Sequence, residues 1–232
     1  MSWRDWLGIG KKKEEPPTPA PEAPERFPWV DFGKGSWRTR ALDVRAVTWH
    51  MLSTSRDPSC AENLLAMGRS DGREFADAEV ELERELPGGL SYPVLAHMAP
   101  GVLFSPEAME DKWAIFLQAD RILFVRSWTR RVMLSARISW TADRLVLERL
   151  RGAFVEVDEA PAFTRAVADA LIRTHVAGEE WPVPVLPGHF DEGPEVVAMA
   201  CMQLYGRRAA LAVPHGIDGP PLRAPLRTRP AR

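Results

Sequence analysis

The sequence is poor in the residues that build disulfide frameworks and metal centres. Among 232 residues it has two cysteines, Cys60 and Cys201, and no Cys-x-x-Cys pair. A disulfide framework is therefore not expected, and a zinc site built on cysteine pairs is excluded. Glycine-rich phosphate-binding loops and the G-x-S-x-G elbow are missing as well. We predict that the chain binds no metal and carries no cofactor.

Long apolar runs and an excess of positive charge are also missing. The longest unbroken apolar stretch, residues 196–202, is far shorter than the ~20 residues that span a bilayer. The formal net charge is −2, whereas a domain that binds nucleic acid is usually basic. We therefore expect no membrane-spanning segment and no nucleic-acid partner.

What the chain does contain is a series of short apolar segments at about 110–150. Polar turn residues separate the four segments, which cover residues 113–117, 122–125, 132–138 and 144–150. Segments of this kind are typical of an antiparallel β-meander. The first is apolar on both of its alternating faces, so this strand should be covered on both sides. We predict an α+β fold in which helices pack on one face of the meander.

Three helices follow from apolar periodicity and from residues that begin or end a helix. Residues 59–67 follow Asp57-Pro58, which is a favourable helix start, and precede Gly68. Residues 160–177 carry an apolar stripe, and residues 195–205 are apolar nearly all round. The two later helices should pack on the meander, with the N-terminal helices beside them.

Other segments permit more than one structure. Residues 37–53 fit either a helix or a strand, because their apolar residues match both periods. The acidic residues 74–86 fit either an edge strand or a helix. Residues 90–106 mix apolar residues with proline and glycine, which predicts an ordered loop leading into the meander.

The two ends of the chain are rich in proline. Residues 1–28 combine a short tryptophan-containing peptide, residues 1–13, with a Pro-rich linker. Residues 214–232 contain five Pro and four Arg, a composition that does not build a core. We predict a single α+β domain over residues 29–213, with disordered tails at 1–28 and 214–232.

The candidate ligand-binding residues lie at the ends of the first two predicted strands. They are Lys112, Trp113, Arg126, Ser127, Trp128 and Thr129. An arginine beside aromatic side chains can bind an anion or stack on a ring. In the alternative interpretation, both tryptophans are packing residues and Arg126 covers them.

The same residues carry a resemblance. Asp111-Lys112-Trp113, followed by residues 123–129 (LFVRSWT), resembles a signature of small bacterial proteins without a known activity. These proteins share a Lys-Trp strand and an aromatic-x-Arg-Ser-Trp-Thr strand. The resemblance implies a β-hairpin and a bacterial origin, but no reaction. Its pattern often has glycine after the threonine, where this chain has Arg130-Arg131.

The sequence favours a non-catalytic, cytoplasmic bacterial protein that binds another protein or a small ligand. One alternative is an enzyme whose site is assembled from scattered residues around the Arg126–Trp128 strand. Another is a peripheral module tethered by residues 1–13. His189-Phe190-Asp191-Glu192 resembles a fragment of a metal site, but nothing in the sequence completes it. We interpret Asp191 and Glu192 as the start of the last helix.

Overall fold

The computed structural model has the α+β architecture that the sequence predicts. Its strands form two β-sheets, of which the sequence predicts only the larger one. The structure describes residues 25–156, 158–217 and 219–228. The predictions for the peptide at 1–13, for most of the Pro-rich linker and for residues 229–232 lie outside the described residues. In chain order the strands are β1 Trp29–Phe32, β2 Thr39–Asp43, β3 Glu85–Pro93, β4 Gly101–Phe104, β5 Trp113–Gln118, β6 Arg121–Arg126, β7 Val132–Trp140, β8 Arg144–Gly152, β9 Val183–Pro184 and β10 Leu211–Val213.

The helices lie between the strands, and three of them match the predictions closely. They are α1 Arg45–Thr48, α2 Ser59–Met67, α3 Pro161–Leu171, α4 Pro187–Glu192 and α5 Pro194–Leu204. A π-helical turn, Ile172–Val176, continues α3, and a 3₁₀ turn, Gly206–Arg208, follows α5. None of the helices in the described part of the chain has the length and apolar character needed to cross a membrane.

The predicted meander forms most of the larger sheet. Its order is β3-β8-β7-β6-β5-β4, and every pair of neighbours is antiparallel. All six residues of β5 are buried, which confirms that this strand is covered on both sides. One face packs on α3 and α5 through side chains such as Ile115 and Phe124. On the other face, Phe116 packs in a smaller cluster with Met67 of α2.

The segment predicted as a loop, residues 90–106, is the clearest correction. It contains the second half of β3 and all of β4. Proline argues against a central strand, but β3 pairs only with β8 and is therefore an edge strand. Pro87 and Pro93 are tolerated there, because an edge strand needs hydrogen bonds on one side only.

The two ambiguous segments each turn out to be mixed. Residues 37–53 contain both strand β2 and the single-turn helix α1. Residues 74–86 are irregular for most of their length; a 3₁₀ turn, Arg73–Phe75, begins the segment, and β3 starts only at Glu85. A short strand next to a short helix gives apolar residues at both periods, which explains the ambiguity in the first case.

The second sheet has the order β1-β2-β10-β9. β2 is antiparallel to β1 and β10, whereas β9 is parallel to β10.

Part of the predicted C-terminal tail contributes to the core. Leu222 and Leu226 are buried, and the amide of Leu226 donates to the carbonyl of Pro93 at 2.9 Å. The prediction of disorder from 214 onward is therefore too broad for these residues, since two leucines find an apolar site that composition does not reveal.

Candidate functional site

Two cation–tryptophan pairs cross at the point where β5 begins and β6 ends. Trp113 and Arg126 are directly opposite each other in the β5–β6 register, and the Arg126 guanidinium carbon lies 4.8 Å from the centroid of the Trp113 ring. The Lys112 ammonium lies 4.0 Å from the centroid of the Trp128 ring. Each cation thus covers one tryptophan across the hairpin. The sequence interpretation that Arg126 covers both rings holds for Trp113 only, since Lys112 covers Trp128.

The Lys112–Trp128 pair is closed by contacts within the protein. The Lys112 ammonium donates to the Ser53 hydroxyl at 2.7 Å and to the Met109 carbonyl at 2.9 Å. The Trp128 indole N–H donates to the same Met109 carbonyl at 3.0 Å. The Asn63 amide of α2 donates to the Trp128 carbonyl at 2.7 Å. These contacts fix the loop before β5 against α2, which is a structural role.

Burial leaves the Lys112 charge poorly solvated. The side chain is 7% exposed, and this burial, together with the charge of Arg126, lowers the pKa of Lys112 to about 8. The neighbouring carboxylates, Glu110 and Asp111, act in the opposite direction, towards a higher pKa. The charged lysine is therefore held at a cost to the stability of the fold, and it loses its proton as the pH rises through about 8.

Ser127 and Asp111 connect this loop to the 3₁₀ turn that follows α5. The Ser127 hydroxyl donates to the backbone carbonyl of Asp111 at 2.7 Å. The Arg207 guanidinium donates to both carboxylate oxygens of Asp111, each at 2.8 Å. Burial alone would raise the pKa of Asp111, but the hydrogen bonds from Arg207 and from the Glu107 amide, with the charges of Arg207 and Arg208, hold it below its usual value. Asp111 is thus an ionised structural carboxylate.

The Arg126–Trp113 pair has different surroundings. The Arg126 guanidinium donates to the carbonyls of Gln203, at 3.0 Å, and Leu204, at 3.5 Å. The Trp113 indole N–H donates to the same Leu204 carbonyl at 2.5 Å. Both carbonyls belong to the last turn of α5, where the helix dipole is negative. No carboxylate within the described ranges forms an ion pair with Arg126, and burial lowers the pKa of its guanidinium to about 10.

Arg126 also lines a cavity of about 540 Å³. The cavity lies between β7, α3 and the consecutive helices α4 and α5, and most of its wall is apolar. The main apolar side chains are Met133, Phe154, Phe163, Val185, Leu186 and Leu204. This volume falls within the range of about 300–1,000 Å³ that is usual for small-molecule sites.

Few polar groups reach this cavity. Arg126, Thr129, His189 and Gln203 lie on its wall, together with Glu81 and Arg131. Glu81 and Arg131 neutralise each other, since their side chains form an ion pair at 2.5 Å. The Nδ1 atom of His189 is buried and has no hydrogen-bond partner among the residues described. A mostly apolar wall with a few donor groups is the usual composition of a ligand site.

The structure therefore places the six predicted site residues in two groups, one that lines the cavity and one that makes structural contacts. Arg126 and Thr129 line the cavity. Lys112, Trp113, Ser127 and Trp128 instead make hydrogen bonds or ring contacts that hold the loop before β5 and the end of α5. Within the ranges that the structure describes, no group of His, Cys, Asp and Glu is suited to hold a metal ion.

Sequence reasoning missed the residues that close the cavity. Phe154 and Phe163 come from the segment after β8 and from α3, and Gln203 comes from α5. One signal was present: Ala200, Gln203 and Leu204 have the spacing of one helix face, and all three line the cavity. For His189 the sequence suggests only a fragment of a metal site.

Comparison with models of known protein families, with curated proteins and with solved structures gave no match. The resemblance of the β5 and β6 segments to small bacterial proteins therefore stays a prediction.

Proposed function

We propose that this chain is a non-catalytic binding protein that holds a small, largely apolar ligand in the cavity beside Arg126. The observation that carries the proposal is the cavity itself, with its volume of about 540 Å³ and its wall of aromatic and aliphatic side chains. Binding is favourable at apolar surface of this kind, because the free energy falls when an apolar ligand displaces water from it. A bacterial origin and a cytoplasmic location remain predictions from the sequence.

The polar groups of the wall support binding rather than catalysis. Arg126 and Gln203 offer hydrogen-bond donors that orient a ligand, whereas general acid–base catalysis requires a titratable group held near the reacting atoms. Glu81 is occupied by Arg131, and the Nδ1 atom of His189 has no partner that would fix its tautomer among the described residues. The alternative of an enzyme with a scattered site near Arg126 thus has less support.

The proposal is tested by filling the cavity. Ala200 lines it from α5, and its neighbour Met199 is 37% exposed. We expect Ala200→Phe to occupy the cavity and to weaken binding of a neutral apolar dye, N-phenyl-1-naphthylamine, by about tenfold or more, which corresponds to ~1.4 kcal/mol. The measurement is a fluorescence titration of the wild type and of both variants.

Met199→Phe is the matched control, because it adds the same ring one residue away on the outer side of the helix. We expect it to bind the dye like the wild type. Thermal melts of all three proteins establish that each is folded. Saturable binding that is equal in the wild type and in a folded Ala200→Phe variant would place the dye elsewhere, and a wild type that binds no dye would contradict the proposal directly.

A further inference from the structure

We propose that the ligand is a small monocarboxylic acid, with its carboxylate on Arg126 and its apolar tail among Phe154, Phe163 and Leu186. This inference rests on the proposed function and specifies the ligand that the same cavity takes.

The hydrogen-bond donors of Arg126 are only partly used by the described residues. A guanidinium has five N–H donors, and the carbonyls of Gln203 and Leu204 accept from two of its nitrogens. Among the described residues no further acceptor contacts the side chain of Arg126, although this side chain lines the cavity. The stacked Trp113 ring, 4.8 Å away, limits the movement of the guanidinium. Arg126 is therefore a preorganised donor that lacks part of its complement of acceptors.

The charges on the cavity wall favour a ligand with one negative charge. Arg131 lies on the same wall but is neutralised by Glu81, so Arg126 is the cation for which the described chain provides no carboxylate. Arg126 is partly buried; a partly buried cation without a counter-ion is held at a cost, and an anion that reaches it is favoured. One such cation matches one negative charge. A phosphate monoester, with a charge near −2, would bring excess negative charge next to Glu81 in an apolar cavity.

The shape of the ligand follows from Arg126 and from the apolar wall. A carboxylate is planar and accepts two parallel N–H donors from a guanidinium, which gives the strongest common pairing of this side chain. The cavity that Arg126 lines is formed largely by apolar side chains such as Phe154, Phe163 and Leu186, which suit an alkyl or aryl tail. An acid with a medium-length alkyl chain supplies both a carboxylate for Arg126 and a tail for the apolar wall.

The test compares decanoate with 1-decanol as competitors of the neutral dye, which separates the carboxylate from the tail. For the wild type we expect decanoate to displace the dye at a concentration about tenfold or more below that of the alcohol. For Arg126→Gln we expect decanoate to weaken by about tenfold or more, while the affinity for decanol stays the same. Arg126→Lys, which keeps the charge and loses the planar fork, should lie between the two.

Arg137→Gln is the matched control, because Arg137 is an exposed arginine on β7 that does not line the cavity. It should behave like the wild type with both competitors. The comparison of acid with alcohol needs no variant, so it remains decisive if an Arg126 variant does not fold.

The outcomes separate the two proposals. Equal displacement by decanoate and decanol, or a folded Arg126→Gln variant with unchanged affinity for decanoate, would overturn the carboxylate assignment and leave the apolar cavity as the site. A wild type that binds neither the dye nor decanoate would overturn the proposed function together with this inference.

Discussion

Lys112 on Trp128 and Arg126 on Trp113 are two versions of one arrangement, a cation stacked on a tryptophan of the next strand. Their surroundings differ. The ammonium of Lys112 donates to Ser53 and Met109. Within the described ranges, the Arg126 guanidinium donates only to the two carbonyls at the end of α5, and Arg126 lines a cavity. The same pairing is therefore a structural contact in one place and part of a candidate binding site in the other.

Most of the signature residues at the start of β5 and the end of β6 have a structural role in this chain. Four of its residues hold the loop before β5, the hairpin and the end of α5 together through buried hydrogen bonds. A signature with this role can accompany different ligands or none, because its residues keep the architecture rather than select a ligand.

The largest expected effect distinguishes the two tryptophans. Trp113 is fully buried, and its indole N–H is bonded to Leu204, so Trp113→Ala should lower the free energy of unfolding by about 3–5 kcal/mol. Trp128 is only half-buried, and Trp128→Ala should cost about 1–3 kcal/mol. Urea unfolding of both variants measures the difference. Equal losses would mean that the two pairs are equally part of the core.

The next effect concerns Gly206, in the 3₁₀ turn after α5, which packs against the loop before β5. Gly206 has a φ of +69°, and a Cβ added there would lie 1.8 Å from the Glu110 carbonyl oxygen. Gly206→Ala should therefore destabilise the fold by about 2 kcal/mol or more, through backbone strain and displacement of the loop before β5. Gly178→Ala is the control, since its φ is also +69° but no atom lies within 4 Å of the added Cβ. Thermal melts in which both variants lose the same stability would reduce the effect to backbone strain alone.

A pH series tests whether the lysine pair is held at a cost. Burial and the charge of Arg126 lower the pKa of Lys112 to about 8 in the folded chain, from an ordinary 10.5. Between these two values the unfolded chain binds the extra proton, so the stability of the folded state rises with pH. Relative to Lys112→Met, the wild type should gain roughly 1–3 kcal/mol from pH 8 to 10.5. Denaturant unfolding at several pH values measures this gain, and parallel curves for the two proteins would contradict it.

The smallest effect lies in the hairpin that carries both pairs. Arg130 occupies the position where the resembling proteins often have glycine, and it adopts a φ of +57°. Arg130→Gly relieves this strain but removes a partly exposed ion pair with Glu74 at 3.1 Å, and contacts of that kind contribute little. We expect the free energy of unfolding to rise by up to about 1 kcal/mol. A clear loss of stability in chemical denaturation would show that the contact with Glu74 outweighs the strain.

Much of the fold follows from local pattern, and the remainder depends on pairing. The meander and α2 were predicted because their apolar periods and turn residues lie within the segment itself. Strands β3 and β4 were missed because their structure depends on pairing with β8 and β5, which no local pattern contains. Leu222 and Leu226 were missed for a different reason, which is that proline and arginine dominate the composition around them.

The candidate site was predicted only in part. Arg126 and Thr129 lie in a conspicuous segment, but Phe154, Phe163 and Gln203 approach them through folding of distant elements. Local sequence also gives the same prediction for Lys112 and Arg126, since each stands near a tryptophan. What separates them is the presence of Ser53 and Met109 near the one and of an open cavity near the other.

The edges of the larger sheet have a consequence for how the protein behaves at high concentration. An exposed edge strand offers unpaired backbone groups to another chain, and this is a common route to aggregation. Here the edge strand β3 carries Pro87 and Pro93 and a register irregularity between Pro87 and Leu90, while the opposite edge, β4, is only four residues long. Proline, irregularity and shortness each interrupt the ladder that an incoming strand would need. The sheet is therefore protected at both margins against extension by a further strand.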